Sequence, residues 1–294
     1  MAALSYDSAA LLRHFAEVKG ITYPLLSDPK SKVIRAFGIL NDNFPPDHPW
    51  HGVPFPGTYI SDEQGVVRAK YFEEDHRERY TASNMWIRQV KDGASPARSE
   101  VETRHLKLVA WASDSTVQPG NRILLGLDIE LNPGMHVYSP GVEGGYIPME
   151  WKIADSSGWL AHPAEHPPSR KLHLPAIRET VPVYEGRFRL TRDLTIGQSQ
   201  EIRPVTGSGS ELVVEGSLRY QACDEKMCYP PQTVPLRWTF GVERECLPSG
   251  QRTLQRKRRL PCLIGSKCWD ATGAGTGSTS ESLANPVKVM IRRG

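Results

Sequence analysis

Cysteine is missing from the first 222 of the 294 residues, so thiol chemistry is confined to Cys223, Cys228, Cys246, Cys262 and Cys268. Long apolar runs are missing too. None approaches the ~18–20 residues that a membrane-spanning helix needs, so no membrane span is expected. The opening residues, Met1-Ala2-Ala3-Leu4-Ser5-Tyr6-Asp7, lack the basic start and apolar stretch of a secretory signal. The expectation is a soluble chain with no visible export address. An excess of one charge is also lacking. A net charge of +3 is too small to call for nucleic acid as a partner. Metal-ligand spacing is absent: Cys246, Cys262 and Cys268 form no Cys-x-x-Cys or close Cys/His pair. His48, His51 and His76 read as exposed loop histidines. No metal or cofactor is expected.

Among the residues present, proline (24) and glycine (25) exceed average usage, which favours strands and turns over helical bundles. The length suits two domains and a tail. In the first ~95 residues helix and strand signals alternate. Apolar spacing predicts a helix over 8–19 with Gly20 as its C-cap, and Asp28-Pro29 opens a second short helix. Asn41 to Pro54 reads as a loop. Thr58 to Ser61 and Val66 to Phe72 form a hairpin around Asp62-Glu63-Gln64-Gly65. A last helix is expected over about 81–90, followed by a linker with little to bury.

From about 101 to 243 the pattern becomes short strands between turns. The candidates are His105–Ala112, Arg122–Leu131, Met149–Ile153, Phe188–Leu194, Leu212–Gln221 and Gln232–Phe240. Strands at this spacing suggest a β-sandwich of immunoglobulin-like size. After Glu243 come the basic run Arg256-Lys257-Arg258-Arg259 and a Gly/Thr/Ser-rich stretch from Ala271 to Ser280. Neither has a strand or helix period, so disorder with lone thiols is expected there.

Three segments carry a first resemblance: Leu4 to Ser8, Tyr23-Pro24-Leu25-Leu26-Ser27-Asp28, and Phe55-Pro56-Gly57-Thr58-Tyr59-Ile60-Ser61-Asp62. With these the N-terminal part resembles the later two-thirds of the thioredoxin-like redoxins, which include peroxiredoxins of the alkyl hydroperoxide reductase type. That resemblance implies a cis proline at Pro56, facing a reactive cysteine. In redoxins that cysteine lies upstream of a Ser-Tyr-Asp-like strand, and this chain begins at such a strand. A thiol peroxidase needs a thiolate. The expectation is therefore a truncated thioredoxin-like domain, inactive alone.

A second resemblance rests on Tyr220-Gln221-Ala222-Cys223, Cys228-Tyr229-Pro230-Pro231 and Thr233-Val234-Pro235-Leu236. Gly134 to Tyr138 and Val183-Tyr184-Glu185-Gly186 support it. This part resembles the N-terminal domain of the DsbD thiol:disulfide interchange family, an immunoglobulin-like electron carrier of the bacterial periplasm. The resemblance implies that Cys228 forms the mixed disulfide with thioredoxin-like partners, and that Cys223 resolves it. It also implies a short cap loop, for which Val183 and Tyr184 are the nearest candidates.

The residues themselves allow that chemistry. Four residues separate Cys223 from Cys228, few enough for a turn that brings the sulfurs within disulfide range. A disulfide over so short a loop constrains the unfolded chain by only about 2 kcal/mol, which makes reversible exchange a better reason for the pair than stabilisation. Lys226 favours a thiolate; Asp224 and Glu225 oppose it. Tyr229-Pro230-Pro231 stiffens the exit and holds the second sulfur.

The organisation expected is a truncated thioredoxin-like domain over 1–92, a linker over 93–102, a β-sandwich over 103–242 and a basic tail over 243–294. The function expected is that of a thiol-disulfide oxidoreductase acting through Cys223 and Cys228. Its partners would be thioredoxin-like proteins, among them a complete thioredoxin-like domain of the same chain, and its compartment the periplasm or cell envelope. Two rivals remain. One is a peroxiredoxin-type antioxidant whose catalytic cysteine this chain lacks. The other is a non-enzymatic immunoglobulin-like binding module with a structural disulfide.

Overall fold

The computed structural model describes residues 1–72, 75, 77–89, 97–174, 178–207, 209–243 and 287–291. His76, the basic run, Cys246, Cys262 and Cys268 lie outside the described residues, as does all of the expected tail from 244 to 286. The chain divides into two compact units, residues 1–68 with 245–294, and residues 69–244.

In chain order the elements begin with β1 (Ala2–Ser5), α1 (Ala9–Lys19), β2 (Leu25–Ser27), α2 (Lys32–Ala36), β3 (Gly57–Ser61) and β4 (Val67–Phe72). There follow β5 (Arg79–Tyr80), α3 (Ala82–Gln89), β6 (Ala97–Glu102), β7 (Leu106–Ala112), β8 (Thr116–Val117), β9 (Asn121–Leu131) and β10 (His136–Tyr138). Next are β11 (Glu150–Ile153), β12 (Trp159–Ala161), β13 (Arg170–Leu174), β14 (Glu179–Glu185), β15 (Arg187–Ile196) and α4 (Ser199–Thr206). The last are β16 (Glu211–Tyr220), β17 (Ala222–Cys223), β18 (Gln232–Val242) and β19 (Val287–Ile291).

The first unit is built on a sheet of order β2-β1-β19-β3-β4. Ser8 caps α1 by accepting from the Leu11 amide, and Gly20 closes it in the left-handed region at φ 61°. The Asp28 carboxylate accepts from the amides of Lys32, Val33 and Ile34 at 2.8–3.0 Å, which satisfies the open start of α2. Two expectations need correction. The bond before Pro56 is trans, as every peptide bond among the described residues is. X-Pro amides keep an intrinsic trans preference. The stretch after Glu243 was expected to contain no strand, yet Val287–Ile291 forms β19, antiparallel to β1 and parallel to β3. Its β-branched run has the right propensity but is too short to show a period.

The second unit is a β-sandwich. One sheet has the order β12-β15-β9-β7-β6, with β5 pairing β9, and the other has the order β11-β16-β18-β8. Between them lies a core drawn from alternate residues: Leu106, Leu108 and Ala110 of β7, Ile123, Leu125 and Leu127 of β9, and Val234, Leu236, Trp238 and Phe240 of β18. Alternation is what a strand with one buried face requires. Each such aliphatic side chain contributes about 1.5–3 kcal/mol when buried.

The outer face of β9 and β7 is covered in turn. Ile87 of α3 packs there with Trp111 and Leu124. The buried Asn84 donates to the Arg122 carbonyl at 3.1 Å and to Asp193 at 3.0 Å. Arg88 pairs with Asp193 at 2.8 Å and with Glu165 at 3.0 Å. The helix expected to end the first domain therefore packs within the second unit. The expected linker carries β6, hydrogen-bonded along β7 from Ala97↔Ala112 to Glu102↔Lys107. Its polar composition hid an edge strand whose stabilisation comes from backbone pairing rather than burial.

Candidate redox site

A third sheet, of order β13-β14-β10-β17, builds the site. Successive side chains of a strand point to opposite faces, and here the two faces have different tasks. Val137, Tyr184 and Ala222 turn into the sandwich core. Tyr138, Val181, Val183 and Cys223 form a separate buried cluster on the other face, with Val142, Tyr146, Leu172 and Leu174 packed against it. The register places Cys223 opposite His136, and Tyr138 opposite Val183.

Cys223 and Cys228 are joined by a disulfide of S–S length 2.06 Å. The connecting loop is a tight turn closed by backbone bonds from Asp224 N to Met227 O (2.9 Å) and from Tyr229 N to Ala222 O (2.8 Å). Asp224 organises its interior. One carboxylate oxygen accepts from the amides of Lys226 and Met227 at 2.8 and 2.9 Å, and the other accepts from the Tyr229 hydroxyl at 2.7 Å. The Tyr229 bond and the two amides hold the Asp224 carboxyl below its ordinary value, and the same bond pushes the Tyr229 phenol up. The Tyr229 ring lies 4.7 Å from that of His105, with the Arg104 guanidinium 5.8 Å from its centre.

The two sulfurs differ in access. Cys223 is 1% exposed, whereas Cys228 is exposed and stands between the exposed Met227 and the half-buried Tyr229. The Tyr138 hydroxyl is 3.5 Å from the Cys228 sulfur and 3.6 Å from the Cys223 sulfur. Burial raises the Tyr138 phenol. Burial also pushes the His136 imidazole down, against the opposing pull of Glu185 and Asp224. Its Nε2 is buried with no hydrogen-bond partner among the described residues.

Of the residues expected at the site, the structure brings together Cys223, Cys228 and Tyr229, with the exposed Pro230 next in the chain. Val183 touches the cluster, but as a wholly buried residue of β14, not of a cap loop. Tyr184 points the other way: its ring stacks on Phe188 at 4.8 Å and its hydroxyl donates to the Pro167 carbonyl. The aromatic residue over the site is Tyr146, from the loop between β10 and β11, with its ring 4.6 Å from that of Tyr138. Its hydroxyl donates to Glu179 at 2.5 Å, which pushes the phenol to about 12. Pro56 lies in the first unit, just before β3. Tyr138, Tyr146 and His136 are not among the site residues expected from the sequence, although Gly134 to Tyr138 supports the family resemblance. The alternation of His136 and Tyr138 about Val137 was the signal available, since it puts both on one strand face.

Residues 108–236, which span the sandwich and the cysteine loop, match the family model "Thiol:disulfide interchange protein DsbD, N-terminal". The sandwich is thus similar to the DsbD N-terminal domain family. Residues 1–70 match the AhpC/TSA family, in line with the redoxin resemblance. No curated protein matches the chain. Among solved structures, the chain is similar to the N-terminal periplasmic domain of ScsB from Proteus mirabilis. The identity is 13% and the TM-score 0.34, over 49% of this chain and 51% of that one. This chain thus spans about half the length of that structure. Among the described residues, no helix is long and apolar enough to cross a membrane, and no cluster of His, Cys, Asp and Glu could hold a metal ion.

Proposed function

We propose that the DsbD-like domain carries out thiol-disulfide exchange, moving two electrons between its Cys223/Cys228 pair and thioredoxin-like partners in the periplasm or cell envelope. Cys228 is the sulfur that a partner attacks. The observation that carries this reading is the asymmetry of the pair: Cys228 is exposed, and Cys223 is 1% exposed behind it. Exchange requires in-line access to one sulfur and a second that can leave. The exposed Met227 beside Cys228 offers an apolar contact for a partner, and the folded Asp224 loop presents both without prior rearrangement. The family match supports the chemistry, and an oxidising compartment suits a resident disulfide.

In the exchange a partner thiolate attacks Cys228 Sγ, the bond to Cys223 breaks, and its electron pair stays on Cys223 Sγ. A second partner thiol then attacks the mixed disulfide and releases the dithiol. The steps run equally in reverse. Equilibration of the full chain with glutathione buffers, followed by alkylation and peptide mass analysis, tests the reading. A Cys223/Cys228 potential above about −300 mV is expected; a lower one would mark a structural disulfide and favour the binding-module reading.

A further inference from the structure

Exchange at Cys228 leaves a negative charge on Cys223, and the surroundings of that sulfur are poorly suited to hold one. Its cluster is Tyr138, Val181 and Val183, with Val142, Tyr146, Leu172 and Leu174 around it. A thiolate forming in so apolar a place bears a desolvation penalty that slows its departure. Three carboxylates around this cluster are already engaged. Glu185 holds Arg170 at 2.7 Å, Glu179 accepts from Tyr146, and Asp224 is saturated by two amides and Tyr229. Lys226 is exposed in the loop, and His136 is kept neutral by burial. Among the described residues, the hydrogen-bond donor in reach of both sulfurs is the Tyr138 hydroxyl, at 3.5 and 3.6 Å.

The geometry points to Tyr138 as a catalytic hydrogen-bond donor to the sulfur that departs when the Cys223–Cys228 bond is opened. This rests on the exchange reading above and names a residue that acts in it. As the partner thiolate bonds to Cys228 Sγ, the electron pair of the broken bond collects on Cys223 Sγ. The Tyr138 O–H, which lies against both sulfurs, turns fully to that atom. The phenol keeps its proton, because its acidity is weaker than that of a thiol even before burial raises it further. In the reverse direction the same bond holds the Cys223 thiolate beside the Cys228 mixed disulfide until it attacks. Tyr138 is held for this by its place on β10 and by the rings of Tyr146 at 4.6 Å and His136 at 5.7 Å.

The test compares the full chain with its Tyr138→Phe variant, which keeps the ring and loses only the hydroxyl. Two readouts are taken: the second-order rate of disulfide opening by glutathione, and the pH dependence of the glutathione equilibrium. A hydrogen bond to a charged atom is worth roughly tenfold or more. Tyr138→Phe is therefore expected to slow opening about tenfold and to raise the pH at which the Cys223 thiol ionises by about one unit. Circular dichroism before the assay establishes that the variant is folded. If it is not, Tyr138→Leu, which fills part of the site with no hydrogen-bond donor, must show the same slowing. Equal rates and an unchanged pH dependence in a folded variant would overturn the role of Tyr138 and leave the exchange function standing. A wild-type chain whose disulfide glutathione cannot open would remove the exchange reading, and this inference with it.

Discussion

Asp224 is the residue on which the geometry of the redox loop turns, because its carboxylate takes three hydrogen bonds inside one tight turn. Asp224→Ala is expected to speed amide hydrogen exchange at Lys226 and Met227, with little change in the melting temperature of the domain. Unchanged protection at those two amides would contradict the assignment. The sign of the pH effect follows from the lowered carboxyl. Its contribution is complete above the unfolded value near 3.8 and is lost as pH falls through the lower folded value. The loop amides should therefore keep their native NMR shifts through pH 3.8 and lose them only on further acidification. The two cysteines were legible in the sequence, since their spacing and the Tyr-Pro-Pro that follows required no tertiary information. Tyr138 was not. Its hydroxyl reaches the sulfurs only through the register of β10 with β17, and register is a long-range property that local spacing does not encode.

At the level of elements, the long strands were readable and the short ones were not. The runs behind β7, β9 and β18 carry apolar residues at every second position over seven or more positions. By contrast β14 contains Pro182, which demotes a segment in any strand reading. It is tolerated here, its carbonyl accepting from the Ser139 amide at 3.0 Å. Without β14 and β13 the sheet that carries Cys223 is not legible, and Val183 and Tyr184 read as loop residues. The packing of β9 makes a sharper prediction. Gly126 lies under the Trp111 indole, where an added Cβ would come within 2.0 Å of the ring. Gly126→Ala must displace an indole whose face also carries the Arg189 guanidinium at 5.0 Å. Overpacking of this kind costs about 1–3 kcal/mol, which thermal or urea unfolding would register; an unaltered stability would contradict the packing described.

For the whole molecule, the extent of the second unit matters most, because it takes in α3 and β6 as well as the strands of the sandwich. Composition starts the sandwich at 103, and the compact unit that contains it runs over residues 69–244. A fragment of residues 103–244 loses the half-buried Arg88–Asp193 pair and the Ile87 packing. It should be less stable than 69–244 by about 3 kcal/mol or more, a difference that comparative urea unfolding would show. Three histidines, His136, His162 and His166, have imidazoles pushed down mainly by burial. The unfolded chain therefore takes up protons first, and stability falls as pH drops below 6.5 toward the folded values. The proposed exchange requires that Cys228 face the partner. Its most direct measurement is a trap, with Cys246, Cys262 and Cys268 replaced by serine. Reduced Cys223→Ser and Cys228→Ser chains are each mixed with an oxidised thioredoxin-like protein, and reductant-sensitive adducts are counted by mass. An adduct through Cys228 is expected in the Cys223→Ser chain, with little or none in the Cys228→Ser chain. Adducts of equal yield in both, or one formed only through Cys223, would contradict it.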